Sequence, residues 1–134
     1  MVGLIKKTFM KNLQEELLKL AIEGYKSILV HYEGSGDSGA IDNVALSKEE
    51  FDSDDFSYYS QEHYCEPIVD TSLHSLIEDF VENKLLQDIE DWYNNEGGSG
   101  TVLIRIPSGE YHIDNEIRVI EYENYKHEGN IFNV

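Results

Sequence analysis

The stretch SILVHYEGSGDSGAIDNVAL, residues 27–46, carries two strand-like runs on either side of a glycine-rich turn. In Ser27–Glu33 the residues Ile28, Val30 and Tyr32 share one face, and Leu29, His31 and Glu33 share the other, because side chains alternate along an extended chain. Residues 40–46 offer Ile41, Val44 and Leu46 to a second strand. Their alternation breaks once, which suits a bulge. The pair reads as a β-hairpin closed by a long glycine-rich loop, Gly34–Gly39.

Upstream, residues 4–23 read as an amphipathic helix. Ile5, Phe9, Leu13, Leu17 and Ala21 recur every four residues, with lysines and glutamates on the remaining surface. Gly24 stands where a helix terminator belongs. Downstream, residues 47–70 form an acidic, aromatic connecting segment. Ser47-Lys48-Glu49-Glu50 has the pattern of a capping box, and the segment is otherwise read as a solvated connection or, alternatively, a partner-binding surface. Asp70 or Thr71 caps a second helix running to about Tyr93, with Leu73, Leu76, Ile77, Phe80, Val81, Leu85, Ile89 and Trp92 on its apolar stripe. A second glycine-rich turn, Asp91–Gly100, ends it. Residues 101–106 and 110–123 supply two more strands around a tight turn at Pro107-Ser108-Gly109. The tail 125–134 is polar and expected to fray, with Ile131 and Phe132 as docking candidates.

The expected fold is α+β. It is a two-layer sandwich in which a four-stranded, mainly antiparallel sheet of two β-hairpins is packed by two helices, in the order α-β-β-α-β-β. All 134 residues are read as a single domain. The lone Cys65 excludes an intrachain disulfide. No apolar run reaches the ~20 residues of a membrane helix. The opening Met1-Val2-Gly3-Leu4-Ile5-Lys6-Lys7 lacks a secretory pattern, so a cytoplasmic location without membrane association is expected.

The net charge is −17. Residues 1–26 hold five Lys and three Glu, so the excess of acid lies in the rest of the chain. Such a field repels nucleic acid and anionic membranes and attracts basic surfaces. It serves solubility at the least. Its sharper use is docking onto a basic protein, nucleic-acid-binding proteins being the obvious class. The carboxylates expected to carry that contact are Glu49, Glu50, Asp52, Asp54, Asp55, Glu78, Asp79, Glu82, Asp88 and Glu90.

No catalytic motif survives inspection. Gly36-Asp37-Ser38-Gly39 matches the surroundings of a serine-protease nucleophile, but only His31 precedes it as a base and no double β-barrel fits upstream. No Gly-Lys-Ser/Thr follows for a Walker loop. The five histidines show no zinc spacing with Cys65. His31 and His112 fall on strands and are candidates to approach each other across the sheet. A loop site remains as the alternative, built from Asp37, Ser38, Asp91, Asn94, Asn95 and Glu96. Its oxygen ligands suit Ca²⁺ or Mg²⁺ better than zinc. Asp37 and Ser38 equally suit bonds back to their own loop amides.

The turns GSGDSG (34–39) and DWYNNEGGSG (91–100), with Asn115-Glu116-x-Arg118 and Glu121-Tyr122-Glu123 beyond them, resemble a family of small acidic proteins of unknown function from bacterial chromosomes and mobile elements. The resemblance spans about residues 28–127, with Glu96 standing where Asp is usual. It implies that the two turns belong to one signature and meet in space. The leading expectation is a non-enzymatic acidic binding protein, in one version an inhibitor from a phage or other mobile element that mimics a nucleic-acid duplex, with no cofactor. The alternative is a small-ligand or divalent-metal domain, or an enzyme, with its site between residues 34–39 and 91–100.

Overall fold

The computed structural model describes residues 2–35, 38–87, 89–90, 97–117 and 123–133. Helix α1 spans Val2–Ile22 and strands β1 and β2 span Ser27–Ser35 and Ser38–Ser47. The short helix α2, Tyr58–Gln61, precedes β3, Cys65–Pro67. Helix α3 spans Thr71–Phe80, and β4, β5 and β6 span Gly98–Arg105, Glu110–Ile117 and Glu123–Asn130.

The expected four-stranded sheet is corrected to six strands in the order β3-β2-β1-β4-β5-β6, with every neighbouring pair antiparallel. The order α-β-β-α-β-β fails because it omits two strands, β3 and β6. Strand β3 is a three-residue edge piece, too short to show alternation. Strand β6 falls where the end of the fourth strand and a fraying tail are expected from the sequence. It is polar because it is an edge strand, held through eight register pairs with β5. Beyond it, Ile131 is fully buried in the core.

The two long helices cover one face of the sheet, here the front. Ile28, Val30 and Tyr32 of β1, Val102 and Ile104 of β4, and Ile113 of β5 meet Leu13, Leu17 and Leu20 of α1 and Leu73, Ile77 and Phe80 of α3. The back face is not bare. Leu29 and Leu103 stand opposite each other in the β1–β4 ladder, and Phe51 and Phe56 pack over them. The segment 47–70 therefore packs onto part of the back face rather than running as a solvated connection. Burying each of these phenylalanines contributes about 1.5–3 kcal/mol.

Local chemistry explains the element ends. Gly24 takes φ 96°, and the bonds Gly24 N to Ala21 O and Tyr25 N to Leu20 O close α1 with a left-handed cap. The Asp70 carboxylate accepts from Ser72 N and Leu73 N at the start of α3. That helix does not continue to Tyr93. At Val81–Leu85 the chain widens into a π turn, and Leu86 N bonds Val81 O at 2.9 Å. The widened turn buries Val81, Leu85 and Leu86 together. Ser47 does not open a capping box either. Its hydroxyl donates to Tyr64 O and accepts from Glu49 N, tying the connecting segment to β3. The hairpin loop is shorter than expected, since Ser35 pairs with Ser38 and only residues 36–37 lie between the strands.

Candidate functional site

The strand register builds the back face row by row. His31 of β1 stands opposite Thr101 of β4, Thr101 opposite Asp114 of β5, and Asp114 opposite Lys126 of β6. The next row runs Glu33, Ser99, Glu116 and Asn124. The first row is anchored at Asp114 and at Thr101. The Lys126 ammonium lies 2.7 Å from the Asp114 carboxylate, which also accepts from Asn124 Nδ2 at 2.6 Å. Thr101 Oγ1 accepts from Tyr58 N at 3.0 Å, which docks the start of α2 on the row.

Phe51 and Phe56 stop short of these rows, and a cleft of about 330 Å³ opens there. His31 and Thr101 form its floor, with Glu33, Ser57, Asp114 and Glu116 around it. His31 is 5% exposed, with Tyr58's ring 6.0 Å away centre to centre. Asp42 reaches the same place through a bulge. The β1–β2 register slips between His31 and Tyr32, so Asp42 lies unmatched between Ile41 and Asn43. One ligand atom from each of His31, Glu33 and Asp42 lies within 4.8 Å of the other two.

A second polar network runs on the front face. The Tyr32 hydroxyl donates to Asn115 Oδ1 at 2.7 Å, and Asn115 Nδ2 donates to Glu90 O and Oε1 at 3.2 and 3.3 Å. His127 Nε2 lies 2.6 Å from the same Glu90 oxygen. Burial, with the charges of Asp114 and Glu90, pushes the Tyr32 phenol far above its ordinary range. Burial alone would raise the Glu90 carboxyl. The bonds from His127, its own backbone and Asn115, with the charge of His127, outweigh it and hold the carboxyl below its usual value. Among the back-face groups, a bond from His112, opposed by desolvation and reinforced by Arg105, lowers Glu110.

The sequence-selected carboxylates divide between these settings. Asp52, Asp54 and Asp55 are exposed in a tight turn between the two buried phenylalanines, closed by Asp55 N to Asp52 O and Asp54 N to Asp52 Oδ1. Glu49 and Glu50 are exposed just before it, and the Glu49 carbonyl accepts from Ser27 Oγ. Glu78, Asp79 and Glu82 ride on α3 and the π turn, on the other side of the sheet. They do not join the first group on one surface. Glu90 is half-buried in the network, and Asp88 lies outside the described residues.

Of the loop-site residues, Asp37, Asp91, Asn94, Asn95 and Glu96 lie outside the described residues, and Ser38 is described only as the first residue of β2. The flanks of the two turns do lie side by side, since Gly34 pairs with both Gly39 and Gly98. His31 and His112 share the back face but stay apart, with β4 between their strands. His112 meets Glu110 and Glu128, and its ring lies 6.4 Å from Phe56. The sequence reading missed Asp42, Thr101, Asp114 and Glu116 as neighbours of His31. The bulge signal and a common strand parity were the available clues.

A model described as a family of unknown function, DUF6878, matches residues 8–129. The chain belongs to this family. The match takes in most of α1 as well as every strand, although β6 runs one residue past it. No curated protein and no solved structure matches the chain. No helix among the described residues is long and apolar enough to cross a membrane.

Proposed function

We propose that this DUF6878 member is a non-enzymatic acidic binding protein that docks a basic protein surface on the back of its sheet. The observation that carries the reading is the anchoring of the Asp52–Asp55 turn. Phe51 and Phe56, 6% and 2% exposed, pin its two ends to Leu29 and Leu103. Carboxylates on a free loop would be ordered only on binding, at a cost in entropy; those on a pinned turn are ordered beforehand. Glu33, Asp114 and Glu116 extend the same face as an acidic cleft. A net charge of −17 adds a long-range field that speeds encounter with a cationic partner. Proteins that handle nucleic acid present such cationic surfaces, and they are the proposed partner class.

The division of acidic residues between the two sides of the sheet makes the reading specific. The back-face group carries the contact, and the α3 group serves solubility. The experiment is affinity purification at low and high salt, with partners identified by mass spectrometry. It uses the wild-type chain, a back-face variant (Asp52→Asn, Asp54→Asn, Asp55→Asn) and a helix variant (Glu78→Gln, Asp79→Asn, Glu82→Gln). The expected result is a basic partner retained by wild type and the helix variant, and lost by the back-face variant and at high salt. Equal retention by all three would refute it.

A further inference from the structure

We infer that His31, Glu33 and Asp42 form a binding site for a divalent first-row transition metal, with Zn²⁺ the best match to the donors. One imidazole nitrogen and two carboxylate oxygens converge from two adjacent strands, with the three ligand atoms within 4.8 Å of one another. Imidazole favours zinc and its neighbours over Ca²⁺ and Mg²⁺, which take oxygen ligands. One spacing already fits. Bonds of about 2.0–2.2 Å to zinc place tetrahedral ligand atoms roughly 3.3–3.6 Å apart. His31 Nε2 and Glu33 Oε1 already stand 3.5 Å apart, long for a hydrogen bond and at the edge length of such a tetrahedron.

Two further features support the site independently of the donors. The first is the bulge. In a regular ladder Asp42 would alternate away from its neighbour Asn43, the register partner of His31. The extra residue re-aims the Asp42 side chain toward His31 and Glu33. The second is the cleft of about 330 Å³ that opens on His31 and Glu33. It leaves room for water or another small ligand to complete the coordination of an ion held by three protein atoms. Rigidity differs along the set. His31 is fixed in the central strand β1 and 5% exposed, whereas Glu33 and Asp42 are exposed and need only rotate inward.

The test is titration of the purified full chain with Zn²⁺ by calorimetry, and with Co²⁺ followed by its visible absorption. The partner is not required, so the outcome is separate from that of the docking experiment. One ion per chain should bind, Co²⁺ should show a low-symmetry, nitrogen-ligated spectrum, and Mg²⁺ or Ca²⁺ in excess should not displace it. Glu33→Gln and Asp42→Asn should each weaken Zn²⁺ at least about tenfold with an unchanged circular dichroism spectrum, as loss of one protein ligand requires. Glu128→Gln, exposed on the same face beside His112 and outside both the donor set and the cleft, should bind as wild type does. Loss of the same size in Glu128→Gln would mean diffuse attraction to the acidic face and would overturn the proposal. So would retained affinity in both ligand variants, displacement by Mg²⁺, or failure of the wild-type chain to take up Zn²⁺.

Discussion

The Tyr32 hydroxyl reaches over β4 to bond Asn115 Oδ1 at 2.7 Å, joining two strands that are not neighbours in the sheet. Gly100 makes this possible. It is the β4 residue opposite both Tyr32 and Asn115, and any Cβ there would collide with the Tyr32 phenol and the Asp114 carbonyl. A glycine that looks like part of a flexible turn is thus a packing requirement inside a strand. The bond also links the core to Glu90, the last described residue before 91–96.

Gly100→Ala is expected to destabilise the fold by about 2–3 kcal/mol, because neither the buried ring nor the β5 backbone has room to retreat. Urea unfolding measures it. A cost below about 0.5 kcal/mol, the level of an ordinary surface substitution, would show that Tyr32 does not lie over Gly100.

Tyr32→Phe leaves the buried Asn115 carbonyl oxygen without its donor, and should cost about 1–3 kcal/mol. Its alkaline titration gives a second readout. Burial raises the folded-state pKa of Tyr32 above its unfolded value of about 10. Its contribution to stability is therefore complete below that value and is lost as pH rises above it. In phenolate absorbance, one of the nine tyrosines should ionise only as the protein unfolds, and Tyr32→Phe should remove that component. A wild-type titration with all nine ionising in the native state would contradict this.

Glu90 should govern part of the acid response. Its carboxyl is held below the unfolded value of about 4.3, so the folded state binds fewer protons in that window. Stability therefore rises with pH there, and is lost as pH falls through the lowered folded value. His127→Ala removes the largest of the influences that lower it. The variant should show a shallower dependence of unfolding free energy on pH below about pH 5. An unchanged slope would mean that His127 does not hold the carboxylate.

Ile131→Ala should cost about 2–4 kcal/mol, as truncation of a buried isoleucine does. Ile131 is fully buried, and its N–H bonds the Gly109 carbonyl at 3.0 Å. Gly109, at φ 81°, leaves space for Ile131 and Phe132, which a Cβ would occupy. Thermal denaturation reads the loss. A cost near zero would restore the view of a frayed tail.

What could be read from residues alone follows from where the signals are local. The alternation in Ser27–Glu33, the broken phase between Ile41 and Val44, Gly24 after α1 and a cap at Asp70 or Thr71 each act within a few residues, and the structure bears them out, with Asp70 as the cap. Strand β6 was illegible because Glu123–Asn130 buries little; its order comes from the ladder with β5, a partner that its own composition does not announce. The cover of the back face was hidden for a related reason. Phe51 and Phe56 are separated by four polar residues, three of them aspartates, and the hydrophilic run masks two core anchors. His31 was noticed, yet its companions could not be assembled before the register of four strands was known.

The measurement that bears most directly on the proposed docking face is the salt dependence of affinity for the captured basic partner. Calorimetric titrations over a range of salt should give a steep decline for wild type and for the Glu78, Asp79 and Glu82 variant. The Asp52, Asp54 and Asp55 variant should bind at least about tenfold more weakly at low salt, with a flatter decline. Weakening of equal size in both variants, or an affinity indifferent to salt, would contradict the assignment of binding to the back of the sheet.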